Sequence, residues 1–239
     1  MASTKLVFLR KEIKYILSEN VFLRILPELT AHLRPDDFPT YTICNLYFDN
    51  NNFDLIRNSL DKPFYKEKLR LRSYGVPSPG DKVFLEIKRK YDGMVAKRRV
   101  SLTLEEAEAY INQDILPSSG GQKMAEIDYL VKLYGLRPKL FLSYKREAYA
   151  GSDGLRVTFD TDILCRTNRL SLTEGVFGSP LLSPGQRIME IKTDTAFPLW
   201  LTGLLSKNKI YPAGFSKYGE FYKSEKNGSL PQNSLEGVL

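Results

Sequence analysis

Lys66, Lys68, Arg70 and Arg72 occupy alternate positions of the stretch KEKLRLRSYG (66–75), with Leu69 and Leu71 between them. Successive side chains of an extended strand point to opposite faces, so this spacing puts four cations on one face and leucines on the other. The chemistry open to such a face is anion binding. Arginine offers a planar fork of N–H donors to phosphate or carboxylate oxygens, and lysine offers a mobile point charge. The pattern recurs along the chain. Arg10, Glu12 and Lys14 share a parity in FLRKEIKYIL (8–17), as do Glu86 and Lys88 in KVFLEIKRK (82–90) and Lys97 and Arg99 in VAKRRVSL (95–102). Arg146 continues the parity of Leu140, Leu142 and Tyr144, Arg156 shares one with Thr158 and Asp160, and Glu190 with Lys192 opposes Met189 and Ile191. Glu12, Glu86 and Glu190 each stand two residues before a lysine, namely Lys14, Lys88 and Lys192. That spacing suits a same-face salt bridge, and equally a carboxylate offered to a hard divalent cation that bridges phosphate oxygens.

A single charged strand is most simply a face turned to water. Here the charged strands are interleaved with helices that need an apolar sheet face to pack on. About eight antiparallel strands closing into a barrel would turn their charged faces inward and leave the apolar faces to the helices. The expected class is therefore α+β: an antiparallel β-barrel tunnel with a charged lumen and helices packed outside. Like charges crowded in an empty lumen repel, which makes the lumen a tunnel for phosphates.

The elements that must position these faces are legible in outline. Ser18 is an N-cap for an amphipathic helix ending near Pro27 or a few residues beyond. TYTICNLYFDN (40–50) reads as a strand, followed by a short helix at about 53–60, and the charged strand spans 64–74. Asp92-Gly93 predicts a hairpin between 82–90 and 95–102. Thr103 and Glu106 spell a capping box for a helix over 104–111, and Gly135 stops a second at about 124–134. Strands 138–150 and 155–167 flank the turn GSDG, and 187–194 follows. FPLWLTGLLSK and FSKYGEFY close a single domain over 1–222, with a flexible tail over 223–239.

The 239 residues are 42% hydrophobic and 26% charged, a globular composition. A net charge of +7 calls for a polyanionic partner: nucleic acid, anionic lipid or a phosphorylated small molecule. Cys44 and Cys165 lie in apolar strand-like runs and are expected as buried thiols rather than a disulfide. With His32 as its one histidine the chain offers no zinc cluster. The sequence has neither a secretory h-region nor a long apolar stretch, so a cytoplasmic protein without a transmembrane segment is expected.

In order, RKEIKY, LYFDN, KLRLRSYG, FLEIKRK, AKRRVSL, LSYKREAY, LRVTFD, MEIK and FSKY resemble the catalytic domain of the VTC-type polyphosphate polymerases. That family lies within the triphosphate tunnel metalloenzymes, alongside the CYTH-type triphosphatases and adenylyl cyclases. The resemblance implies transfer of the ATP γ-phosphoryl group to a growing polyphosphate chain, with Mn²⁺ or Mg²⁺ as cofactor. By motif it implies Lys14, Arg70, Arg72, Lys88, Lys97, Arg99, Arg146, Arg156, Lys192 and Lys217 as phosphate ligands. It places the metal on Glu190, with Glu12 and Glu86 as alternates, and requires no nucleophilic side chain. Arg10 stands where the wider superfamily carries the first glutamate of Glu-x-Glu-x-Lys, which disfavours a second metal site on that strand. The helical domain and membrane helices of the eukaryotic versions are not in this chain, so the resemblance is to a stand-alone form. ATP or another triphosphate and inorganic polyphosphate or pyrophosphate are the expected partners, with no specific nucleic acid.

Two other readings compete. A tripolyphosphatase or nucleoside triphosphatase in the same tunnel differs only in using water as the acceptor. A polyphosphate- or nucleic-acid-binding module without turnover is favoured by the aromatics interleaved with cations in SYKREAY and SKYGEFY.

Overall fold

The computed structural model describes residues 11–92 and 94–228. Arg10, Gly93 and the C-terminal residues 229–239 lie outside the described residues, and with them the parity of Arg10 and half of the Asp92-Gly93 turn. In chain order the elements are β1 (Lys11–Ser18), α1 (Glu19–His32), β2 (Arg34–Asp49), α2 (Asp54–Leu60), β3 (Tyr65–Tyr74), β4 (Lys82–Tyr91) and β5 (Met94–Thr103). There follow α3 (Leu104–Gln113), α4 (Gly121–Tyr134), β6 (Arg137–Ala150), β7 (Arg156–Arg166), β8 (Ser179–Pro180), β9 (Gln186–Thr193), α5 (Leu199–Lys207) and α6 (Lys217–Lys226). The hydrogen-bonded strand order is β1-β9-β7-β6-β2-β3-β4-β5, with β8 beside β7. A mostly antiparallel sheet accompanied by helices is the α+β class that the alternating runs predict.

Two compact units divide the chain. The first draws on residues 11–41, Lys145–Asp162 and Leu182–Phe215. Its core joins Tyr15 and Leu17 of β1, Val157 and Phe159 of β7, and Met189 and Ile191 of β9 to Phe22, Ile25 and Leu29 of α1 and Leu201 and Leu204 of α5. The helices therefore cover the odd-numbered face of these strands and leave Glu12, Lys14, Arg156, Thr158, Glu190 and Lys192 on the other. Ser18 caps α1, its hydroxyl accepting from Val21 N–H at 3.4 Å. The helix continues through Pro27 to His32, five residues past the proline. Proline removes one N–H from the ladder, and the burial of Leu29 beyond it holds the last turn.

The second unit draws on Thr42–Tyr144, Ile163–Leu181 and residues 216–228. Cys44, Leu46 and Phe48 of β2, Leu69 and Leu71 of β3, Leu85 and Ile87 of β4 and Val100 of β5 pack with Ala107 and Tyr110 of α3 and Met124, Ile127 and Leu130 of α4. Thr103 and Glu106 form the capping box: Thr103 Oγ1 accepts from Glu106 N–H at 3.2 Å, and the Glu106 carboxylate accepts from Thr103 N–H at 2.9 Å. Tyr91 pairs with Met94 in the β4–β5 hairpin, and Asp92 takes the left-handed φ of 42° that a two-residue turn demands.

Several boundaries differ from the sequence reading. β2 begins at Arg34, six residues early, because an exposed stretch carrying Pro35 and Pro39 conceals its strand character. α4 begins at Gly121, after Gly120 has turned with φ 91° at a place where a Cβ would stand 2.6 Å from a Val100 methyl. β8 has no alternating signal because it is two residues long. The segments FPLWLTGLLSK and FSKYGEFY carry α5 and α6, and α6 extends into the stretch read as tail, reaching Lys226. Both cysteines are buried and free. Among the described residues no helix is long and apolar enough to cross a membrane.

Candidate functional site

Glu86 organises the charged face of the second unit. It lies opposite Arg70 on β3 and Arg99 on β5, and its side chain is 2% exposed. One carboxylate oxygen accepts from Arg70 Nε at 2.8 Å and pairs with Arg70 Nη2 at 2.7 Å. The other accepts from Arg99 Nε at 2.6 Å and pairs with Lys97 Nζ at 2.7 Å. Burial pushes the Glu86 carboxyl up, but Arg70, Arg72 and Lys97 outweigh it and hold the group well below the usual carboxylate range. One buried anion thus holds an excess of cations in register.

Polar neighbours aim the remaining guanidinium. Arg72 Nε donates to Asn45 Oδ1 at 3.0 Å and Nη2 to the Tyr144 hydroxyl at 3.4 Å, while Asn45 Nδ2 is anchored on the Leu142 carbonyl at 3.0 Å. Arg70 Nη1 donates to the Tyr47 hydroxyl at 3.3 Å. Burial raises the Tyr47 phenol, yet Arg70 and Arg72 outweigh that and lower it to about 8. Lys217, the first residue of α6, lies 4.4 Å from the Tyr144 ring centroid, and Lys68 Nζ donates to the Ser216 hydroxyl at 2.9 Å. The Tyr218 hydroxyl donates to Asp49 at 3.0 Å, and Asp49 in turn accepts from the N–H groups of Leu55 and Ile56. The start of α6 is thereby tied to β2 and α2.

The first unit carries a second charged group, built as two cross-strand rows. Lys14, Glu190 and Thr158 lie opposite one another across β1, β9 and β7, and Glu12, Lys192 and Arg156 form the next row. Lys14 Nζ stands 3.3 Å from Glu12 and 3.7 Å from Glu190, and Lys192 pairs with Glu190 and stands 3.8 Å from Glu12. Burial raises the Glu190 carboxyl, but Lys192, Lys14 and Arg146 hold it well below its ordinary range. Arg146 bonds Asp160 through its fork at 2.6 and 2.8 Å, with both residues buried. Arg156 donates to Asp36 at 2.7 Å and to the Tyr41 hydroxyl at 3.3 Å.

The three candidate metal carboxylates differ in fitness. Glu12 and Glu190 share two lysines and offer hard oxygens, a donor set suited to Mg²⁺ or Mn²⁺, which take one or two carboxylates and complete their shell with phosphate and water. Glu86 is the poorer candidate, since two arginine forks and Lys97 clamp both of its oxygens at 2.5–2.8 Å, whereas Glu12 and Glu190 are shared by two mobile lysines. No cluster of three or more His, Cys, Asp or Glu suited to a metal occurs among the described residues, so an all-protein cage is not the geometry offered.

A model of the VTC domain matches residues 9–226, nearly the whole chain. The chain belongs to the VTC domain family. Subunit 4 of the vacuolar transporter chaperone complex of Trypanosoma cruzi is 25% identical, covering 66% of this VTC domain chain and 25% of that protein. Subunit 2 of the same complex in Schizosaccharomyces pombe is 24% identical over 72% of this chain and 29% of its own. The chain therefore spans about a quarter of the length of the curated relatives it matches. Among solved structures, a candidate adenylate cyclase of Bacillus halodurans superposes with a TM-score of 0.54 at 15% identity, covering 88% of this chain and 94% of that one. That likeness is one of fold, and the fold is the antiparallel sheet with external helices described above.

Within this VTC domain, Arg70, Arg72, Lys88, Lys97, Arg99 and Lys217 belong to the second unit, and Lys14, Arg146, Arg156 and Lys192 to the first. Lys88 lies opposite Lys68 and Lys97 and is exposed. Sequence reasoning left out Asn45 and Tyr47, which orient arginines, and Asp36, which engages Arg156; it placed Tyr144 and Asp160 on a parity without pairing them to Arg72 and Arg146. Parity could have found the first two: they alternate with Cys44, Leu46 and Phe48, and Asn45 and Tyr47 lie opposite Arg72 and Arg70.

Proposed function

We propose that this VTC domain is a polyphosphate polymerase, transferring the γ-phosphoryl group of ATP to a polyphosphate chain with Mn²⁺ or Mg²⁺. The observation that carries this reading is the buried Glu86 ringed by Arg70, Arg72, Lys97 and Arg99. A site so rich in fixed cations suits a ligand with several negative oxygens, and phosphoryl transfer asks of a protein mainly positioning and charge neutralisation. Arg70 and Arg99 are held by Glu86, and Arg72 by Asn45 and Tyr144, so their orientation is set before an anion arrives. Lys14 and Lys192 rest on Glu12 and Glu190; turning toward phosphate oxygens would free those carboxylates for the divalent ion. That ion, when bound, would neutralise charge on bridging phosphate oxygens.

No nucleophilic side chain takes part. Cys44 and Cys165 are buried, and burial pushes their thiols up to about 11 and about 12, far from the thiolate form. The deciding experiment incubates the protein with ATP labelled in the γ-phosphate and Mn²⁺, then resolves the products by size. Long labelled chains are expected. Labelled orthophosphate alone would instead make the protein a triphosphatase, and binding with neither product would make it a binding module.

A further inference from the structure

The charges of β3, β4 and β5 are treated differently on their two faces. On the helix-covered side Glu67 lies opposite Arg89, accepts from its Nε at 2.7 Å, and Glu126 completes the network with Arg89 at 3.2 Å and Arg98 at 3.4 Å. On the face that carries Arg70 and Glu86, lysine supplies the charge at the end of the strands toward the Tyr91–Met94 turn, where Val95 stands opposite Lys90. Lys66 lies opposite Lys90, and Lys68 opposite Lys88, which lies opposite Lys97. Like charges directly opposed across strands are destabilising. Lys66 is lowered from its ordinary value, by burial first and then by Lys90, Lys62 and Lys88. Among the described residues no carboxylate pairs with Lys62, Lys66 or Lys90. The nearest polar contact of Lys66 is the Ser59 carbonyl, 3.5 Å away.

Resting on the function proposed above, we infer that Lys62, Lys66 and Lys90 form a separate subsite, which holds the polyphosphate chain beyond the triphosphate. The change of cation along the strand is the first reason. Arg70, Arg72 and Arg99 are forks locked by Glu86, Asn45 and tyrosine hydroxyls, fit to fix one phosphate geometry. The lysines are flexible point charges that can follow a polyanion through successive positions. Reach is the second: Lys66 to Arg72 is six residues of strand, about 20 Å, which exceeds a triphosphate. The third is the poverty of stacking rings. Tyr65 and Tyr91 share the parity of Glu67 and Arg89 and so face away from the lysines, which leaves the exposed Phe64, just before β3, as the one ring continuing the parity of Lys66 at this end among the described residues. A polyanion without bases fits that face better than nucleic acid does.

The test compares the wild-type chain with a variant carrying Lys62→Ser, Lys66→Ser and Lys90→Ser, and with Lys90→Glu alone as a milder second variant. Tripolyphosphate, long-chain polyphosphate and a single-stranded DNA of matching charge are each titrated at several salt concentrations. Expected is a loss of about tenfold or more in affinity for the long chain with a shallower salt slope, as loss of phosphate contacts gives, and a change of less than about twofold for tripolyphosphate. Equal losses for both, or none for either, would overturn the subsite. Tighter wild-type binding of DNA than of polyphosphate, weakened by the same substitutions, would make the surface a nucleic-acid site and overturn it as well. A wild-type chain that binds neither phosphate polymer nor tripolyphosphate would instead remove the proposed function, and this subsite with it.

Discussion

Tyr47 shows how a single group registers the electrostatics of its surroundings. Its phenol is buried, receives a hydrogen bond from Arg70 and lies among cations, which together lower it to about 8 from an ordinary value of about 10. A phenol whose folded value is depressed contributes stability that is complete above the unfolded value and is lost as pH falls through the folded one. Tyr47→Phe should therefore cost more stability at a pH of about 10 than at about 7, where both states carry the neutral phenol. An ultraviolet titration should show one tyrosine ionising near 8 in the wild type and none there in Tyr47→Phe. A wild-type titration confined to the ordinary tyrosine range would mean that Arg70 and Arg72 are screened by solvent rather than held against the ring.

At the scale of elements, the ladder joining β1, β9 and β7 separates two glutamates with the same Glu-x-Lys spelling. Glu190 has a strand on either side, with Lys14 and Thr158 opposite it, and its side chain is 6% exposed. Glu12 is on β1, the end strand of the sheet order, and its side chain is 30% exposed. A ligand fixed on both flanks is better preorganised for an ion than one free to move. Glu190→Gln should keep triphosphate binding, because it leaves the cations in place, yet lose most metal-dependent turnover. Glu12→Gln should be milder. Rates measured against Mn²⁺ concentration decide between them, and an unaltered metal dependence in Glu190→Gln would place the ion elsewhere. The same two rows of the ladder were legible as parity in RKEIKY and MEIK, but the pairing of Glu190 with Lys14 was not, since register joins residues far apart in sequence.

For the whole molecule, the proposed function would set a polyanion beside the opposed lysines and the cations that outnumber Glu86, where its binding would offset their mutual repulsion. A ligand bound only by the native state adds RT ln(1 + [L]/Kd) to its stability, so tripolyphosphate should raise Tm strongly and orthophosphate far less. Thermal melts at matched ionic strength would show this, and equal shifts for the two would mean that nonspecific salt effects explain the stabilisation. Which side chains share a face follows from neighbours along the chain: alternation in KLRLRSYG or FLEIKRK is set by the local geometry of an extended chain, and Thr103 with Glu106 sets a helix start by contacts three residues apart. The α+β class followed from the same local signals. Tertiary structure decided the partners. Glu86 meets Arg70 and Arg99, Arg146 meets Asp160, Arg72 meets Asn45 and Tyr144, and α1 runs on through Pro27, because these outcomes depend on strand register and on core burial from distant segments, which local spacing does not encode.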